Sequence, residues 1–325
     1  MTKTGTSKRS FKLFSALVKL LKMRSTDIIL EYFDVSVYKE DFDNLREEHW
    51  LNDNNLTFWY EYLERSESFV MENPGEIVLL RPSMVFLLAQ SSNPKELKDV
   101  LPSMDDARYV FLPINDNDDV DLAEGGSHWS LLIVDRQIKR GFYYDTLDDS
   151  NVREAENVAK KLSILDDYAT GKFTLYSLPT PQQTNGSDCG VMVCMLTSHF
   201  LRKIVEAQAS DSGDEVDWHV GEQLMSAKHG RQLLSYTILD LITKHGRKIG
   251  YEEECKKEEI LSIDESIASS PGSNAAGSDS SESTMDVESE LVLSDDSSHS
   301  VDIMPKALKH SYRLHLHRKT HRQAV

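Results

Sequence analysis

Cys189 closes the run Gln182-Gln183-Thr184-Asn185-Gly186-Ser187-Asp188-Cys189 and is followed by Gly190 and the apolar stretch 191–201, so a thiol stands where a helix should begin. The unpaired N–H groups and the dipole of a helix N-terminus favour negative charge, and a partly exposed thiol there is set up as a nucleophilic thiolate. Beside Val191, Met192, Val193 and Cys194 the same residue also reads as one more small apolar core side chain. The residues elsewhere in the chain must decide. A thiolate that attacks carbonyls needs a base, usually histidine, and a third group that fixes the base's tautomer and orientation.

One upstream segment supplies both. Residues 128–135, His-Trp-Ser-Leu-Leu-Ile-Val-Asp, read as a strand, 136–141 as a polar turn, and 142–145, Phe-Tyr-Tyr-Asp, as a second strand. A hairpin whose midpoint lies near Arg136 and Gln137 brings its first residue, His128, close to its last, Asp145. Taken alone, His128 reads more readily as a strand cap than as a catalytic base, and Asp145 as the opening of the turn through Asp149. Their occurrence with Cys189 favours catalysis. The surrounding pattern predicts an α+β domain with strands at 109–114, 128–134, 141–144 and 172–178, and helices around 54–66, 82–91, 152–168, 190–208 and 222–245. The strands should form a central sheet with the helix of Cys189 behind it, and about 220 residues suffice for one core. No internal repeat is visible.

Four blocks in this order carry a family resemblance. They are Trp50-Leu51-Asn52-Asp53, then 110–117 (Val-Phe-Leu-Pro-Ile-Asn-Asp-Asn), then 126–132 (Gly-Ser-His-Trp-Ser-Leu-Leu) with Tyr144-Asp145, and Pro181-Gln182-Gln183 through Cys189-Gly190. Over about residues 27–245 the chain resembles the Ulp-type, sentrin-specific cysteine proteases that process ubiquitin-like modifiers. The resemblance implies a papain-like-related fold, a central mixed sheet flanked by helices, and a catalytic triad at His128, Asp145 and Cys189. It implies that Gln183, six positions before the cysteine, is the oxyanion-hole residue; the composition of the loop after Pro179 and Pro181 would otherwise read as a plain polar connection. Trp50 and Trp129 resemble the walls of a passage that admits only a Gly-Gly tail, although large aromatics are most often core residues. Asp53 resembles a contact to the incoming tail, and its position also suits a helix N-cap.

Within the family, the blocks at 111–117 and 125–132 resemble the deneddylase branch, sentrin-specific protease type eight, more than the SUMO branch. The implied substrate is the Nedd/Rub modifier on cullins or other proteins, or its precursor, with a SUMO protease as the near alternative. Two readings of other classes are an acyltransferase on the same scaffold and a modifier-binding module with a dead site. The complete set of His128, Asp145, Gln183 and Cys189 argues against the dead site, and no phosphate-cradling glycine loop supports an acyl-coenzyme donor. A monomer without cofactor or metal is expected, with no nucleic acid required and no membrane.

Composition bounds these readings. The 325 residues hold three cysteines, Cys189, Cys194 and Cys255, an odd number without the pattern of a disulfide framework. Cys189 and Cys194 do not share a helical face, which removes a zinc reading. No run approaches the roughly 20 apolar residues of a membrane span. The expected compartment is cytoplasm, nucleus or both. Residues 1–26 carry seven Lys or Arg and no acid, with Phe11, Phe14, Leu17, Val18 and Leu21 at helical spacing, and read as a basic amphipathic extension in preference to a mitochondrial-type presequence. Of the net −18, residues 252–304 account for −13, with 15 acidic and two basic side chains. A segment so rich in Ser, Asp and Glu cannot bury enough apolar surface to offset its ordering entropy, so disorder is expected from 251 to 304. Within it, 290–296 (Glu-Leu-Val-Leu-Ser-Asp-Asp) resembles a SUMO-interacting motif, against an acidic linker as the alternative. Residues 305–325 turn basic, as an import or nucleic-acid patch or a partner for the acidic stretch, with little to choose between them. The expected organisation is therefore 1–26, a protease domain at 27–250, and the two tail segments.

Overall fold

Uninterrupted apolar runs such as Val110–Ile114 and Leu131–Val134 suit strands covered on both faces, and the computed structural model buries them in that way. It describes residues 3–66, 76–122, 125–166, 173–209, 215–221 and 224–249. Helix α1 (Lys3–Leu20) precedes strands β1 (Ile28–Tyr32) and β2 (Val35–Tyr38), the short helix α2 (Lys39–Asp43) and helix α3 (Asp53–Glu64). Strand β3 (Ile77–Leu79) and helix α4 (Pro82–Gln90) lead to β4 (Tyr109–Asn115), β5 (Trp129–Asp135) and β6 (Arg140–Tyr144). Then come α5 (Val152–Leu165), β7 (Thr174–Ser177), α6 (Cys189–Ala209), α7 (Ala227–His245) and β8 (Lys248–Ile249).

The central sheet runs β3-β4-β5-β6-β7, antiparallel through β4, β5 and β6 and parallel at both outer pairs. A smaller sheet, β2-β1-β8, lies apart from it. The two-residue alternation of strands sorts the core into two layers. Tyr109, Phe111, Leu131, Ile133, Phe142 and Tyr144 join a core with α6, α3 and the small sheet. Val110, Leu112, Ile114, Leu132, Val134 and Tyr143 join another with α4 and α5. The mixed sheet flanked by helices, with the helix of Cys189 on one face, is the expected architecture.

Several boundaries moved. The helix expected from 222 starts at Ala227, because Ser226 caps it by accepting from the His229 backbone N–H. The helix expected to 168 ends at Leu165, and residues 167–172 lie outside the described ones, as do the tail segments and the 290–296 motif. Helix α1, which falls within the basic stretch expected at 1–26, packs on α7. Leu20 is buried in the core beside α7, and Arg9 pairs with Asp240 of α7 at 2.9 Å, so the domain includes α1. Strands β1, β2, β3 and β8 and helix α2 had no counterpart in the sequence reading. They are two to five residues long, too short for periodicity to mark.

Candidate active site

The β5–β6 hairpin places His128 and Asp145, the candidate base and orienting carboxylate. Pairing of Leu131 with Tyr144 corrects the expected register by two residues, so that Asp145, one step on, stands level with Ser130 and not with His128. A shift of two preserves the face on which each side chain points. His128 and Asp145 each lie just beyond the end of a strand, and the imidazole Nε2 reaches Asp145 Oδ1 at 2.5 Å. Nδ1 remains free of Asp145, and the Cys189 side chain lies near enough to favour the charged imidazolium.

Asp145 is surrounded by donors. Oδ1 accepts from the Leu147 backbone N–H at 2.8 Å, and Oδ2 from the Tyr143 hydroxyl at 2.6 Å and the Asn151 backbone N–H at 3.1 Å. Burial opposes its charge, but hydrogen bonds from His128, Tyr143 and Asn151 hold the carboxyl below its usual range. Burial likewise opposes the imidazolium of His128. The hydrogen bonds to Asp145 and Cys189, with the attraction of both, outweigh it and push the group up to about 9. The His128 backbone is anchored as well, with its N–H donating to Asp116 and its carbonyl accepting from Asn115 and Asn151.

Cys189 is the first residue of α6 and only 3% exposed, more buried than the sequence reading required, yet it lines the floor of a cleft. The cleft, of about 310 Å³, is also lined by Trp50, Asp53, His128 and Trp129. Cys194, five residues on, faces only core, and burial pushes its thiol up. Gly190 explains the close fit around Cys189. A Cβ there would lie 2.8 Å from the Leu51 Cβ and 3.4 Å from the Trp129 ring, so only glycine lets the Trp50–Asp53 segment approach.

The two tryptophans differ. Trp129 is 7% exposed and donates its indole N–H to the Leu51 carbonyl at 3.2 Å, whereas Trp50 is 53% exposed and is no core residue. Asp53 is not the N-cap of α3. Asn52 takes that place, accepting from the Asn55 backbone N–H, while Asp53 opens the helix and lines the cleft. Buried Asp41 fixes this corner by accepting from the amides of Asn52 and Asn54.

Gln182 and Gln183 have separate jobs. Gln182 ties the backbone together, accepting from the Asp148 N–H and donating to the Asp145 and Thr180 carbonyls. Gln183 is tied to Thr146, the neighbour of Asp145, which accepts its backbone N–H at 2.9 Å and donates Oγ1–H to its Oε1 at 2.7 Å. Its Nε2 donates to the Asn185 carbonyl at 2.7 Å. Since an amide nitrogen carries two protons, one remains for a substrate oxygen. The sequence reading missed Tyr143, Thr146, Asn151 and Gly190. Two of these, Tyr143 and Thr146, lie within two residues of Asp145, which is the signal that could have drawn attention to them.

A family model described as "Ulp1 protease family, C-terminal catalytic domain" matches residues 49–217, more than half of the chain. The chain belongs to the Ulp1 protease family. Among its relatives in that family is NEDD8-specific protease 2 of Schizosaccharomyces pombe, 35% identical over 73% of this chain and 60% of the relative. Sentrin-specific protease 8 of Homo sapiens is 31% identical over 55% of this chain and 86% of that protein. The chain spans 60% and 53% of the two fission-yeast NEDD8-specific proteases that it matches. The fold is that of the C-terminal protease domain of Ulp1 in its complex with Smt3, the yeast orthologue of SUMO. That structure superposes with a TM-score of 0.51 at 22% identity, covering 72% of this chain and 96% of it.

Proposed function

We propose that this Ulp1-family chain is a cysteine-type isopeptidase that cuts after the C-terminal Gly-Gly of a ubiquitin-like modifier, and that the modifier is NEDD8, carried on cullins or other proteins. The observation that carries this reading is His128 held between Asp145 and Cys189 in a cleft that Trp50 and Trp129 also line. Flat rings on the cleft wall favour an extended tail without side chains. The names of the two fission-yeast relatives, both NEDD8-specific proteases, favour NEDD8 over SUMO.

In this mechanism the Cys189 sulfur attacks the carbonyl carbon of the terminal glycine, and the electron pair of the C=O moves onto oxygen. The free Nε2–H of Gln183 and the Cys189 backbone N–H stabilise that oxyanion. Collapse breaks the C–N bond as His128 gives its proton to the leaving amine, whether a lysine side chain or a precursor's next residue. The product is a thioester on Cys189. Water, deprotonated by His128, hydrolyses it to free carboxylate and thiol.

The experiment reacts the full chain with C-terminal electrophile derivatives of NEDD8, SUMO and ubiquitin. The expected result is a covalent adduct on Cys189 with NEDD8, absent in Cys189→Ala. Preferential reaction with SUMO overturns the choice of modifier, and no adduct with any of them overturns the isopeptidase reading.

A further inference from the structure

Arg231 lies in α7, outside all four sequence blocks, yet it ends beside the nucleophile. Gly230 makes this approach possible, because a Cβ there would lie 2.8 Å from Met195 Cγ and 2.9 Å from Val191 Cγ2 of α6. With the helices so close, the next residue reaches the loop in front of Cys189. Arg231 is 3% exposed. Its Nε and one terminal nitrogen, Nη2, donate to Asp188 Oδ1 at 3.1 and 3.0 Å. Nη2 also donates to the carbonyls of Ser187 at 2.7 Å and His49 at 2.9 Å, and Nη1 to those of Asn44 at 3.0 Å and Arg46 at 2.8 Å.

These partners fall into two segments that nothing in sequence links. Asn44 to His49 runs directly into Trp50, and Asn44 itself lines the cleft. Ser187 and Asp188 run directly into Cys189. We propose that Arg231 is a positioning residue that ties the Trp50 wall to the nucleophile loop and so sets the width of the passage for the Gly-Gly tail. The proposal rests on the isopeptidase reading above. A guanidinium suits the task because its planar fork can serve an anion and several carbonyls at once, whereas a lysine ammonium has fewer donors and no fixed directions. Asp188 provides the counter-charge that a buried cation requires, and Asn185 holds its other oxygen at 2.9 Å.

The test compares Arg231→Lys, which keeps the cation, and Asp188→Asn, which keeps an acceptor, with the parent chain. For Arg231→Lys, kcat/KM on a modifier amide should fall about 30-fold, since small misplacements of reacting groups are costly. Its preference for a Gly-Gly over a Gly-Ala tail should fall about tenfold, as expected when a steric wall loosens. Alkylation of Cys189 by iodoacetamide, too small to need the passage, should change by less than about threefold. Asp188→Asn should show the same pattern more weakly. An unchanged Gly-Gly preference, or alkylation that falls as far as turnover, overturns the proposal. Amide hydrogen exchange separates this from failure of the functional reading. Should the parent cut no modifier, exchange at 44–50 and 185–188 should still rise together by about tenfold in both variants, with β5 unchanged. A rise in only one segment, or in neither, overturns the coupling.

Discussion

The active-site cleft has two sides that are built differently. On one, His128 and Asp145 flank adjacent strands of the central sheet, and backbone pairing of β5 with β6 brings them together. On the other, Trp50, Gln183 and Cys189 sit on loops or at a helix start, held by single buried side chains such as Asp41, Thr146 and Arg231. The sheet side is redundant: the His128 backbone alone is anchored by Asp116, Asn115 and Asn151. The loop side depends on a few long-range hydrogen bonds, and losing any one should release a whole segment. A scaffold of this kind keeps His128 and Asp145 rigid, as the proposed proton transfer requires, while leaving the proposed passage open to adjustment.

Removing charge from the sheet side should cost most. Every group around the Asp145 carboxylate donates to it, so the amide of Asp145→Asn would point N–H groups at donors and leave His128 in the wrong tautomer. The expected loss in kcat is about 10³- to 10⁴-fold, the scale of the equivalent change in a serine protease triad. The pH profile supplies a second readout. Turnover needs protonated His128 to discharge the amine, so kcat/KM of the parent should fall as pH rises through about 9. Asp145 is the larger of the two influences, with Cys189, that raise that value against burial, hence the upper limb should move to lower pH in the variant. A limb that stays near 9 would assign the raised value to another group. Stability follows the same signs. The raised His128 contributes fully below the ordinary value of 6.5 that it has in the unfolded chain and loses its contribution as pH rises through about 9. The depressed Asp145 contributes above the ordinary value of 3.8 that it has in the unfolded chain and loses its contribution as pH falls through its lowered value.

Where the two sides meet, Gly190 offers a sharper test. In a free helix, Gly→Ala gains up to about 1 kcal/mol from propensity. Here the added methyl would meet the Leu51 Cβ at 2.8 Å, a stiff part of a buried side chain, and overpacking of that kind costs about 1–3 kcal/mol. Gly190→Ala should therefore lower the melting temperature and cut kcat/KM by about 10- to 100-fold through displacement of the Trp50 wall. A variant that is stabilised and fully active would mean that the loop side yields freely.

The same contrast separates what could be read in the chain from what could not. The β5–β6 hairpin announces itself because alternation and a polar turn are local, and its prediction of a His128–Asp145 neighbourhood survived a register error of two residues for a geometric reason. Strands β4 to β7 and helices α3 to α7 were visible for the same local reason. By contrast, Asn44 and Arg231, or Asp41 and Asn54, meet only after the chain folds, and no spacing rule connects them. Exposure misled in both directions: Cys189 is nearly closed off, whereas Trp50 is open. The N-cap of α3 fell to Asn52 because its neighbour Asn55 could return the hydrogen bond, a reciprocity that Asp53 lacks.

The mildest change should touch only the orientation of Gln183. Thr146 is buried, and its Oγ1–H supplies the hydrogen bond that tells the Gln183 amide which end is oxygen. Valine matches its shape but offers no donor, so Thr146→Val should leave the amide held only through the Asn185 carbonyl and let it spend part of its time with oxygen facing the developing oxyanion. Deleting an oxyanion donor outright costs about 10²- to 10³-fold, and a donor that is present but unfixed should cost less, about tenfold in kcat with KM unchanged. Thr146→Ser restores the hydroxyl and should recover most of the rate. The upper pH limb should stay near 9 in both variants, because neither touches the His128–Asp145 pair. If serine fails to rescue, the loss comes from packing beside Asp145, and the loop side is then held by shape more than by its hydrogen bonds.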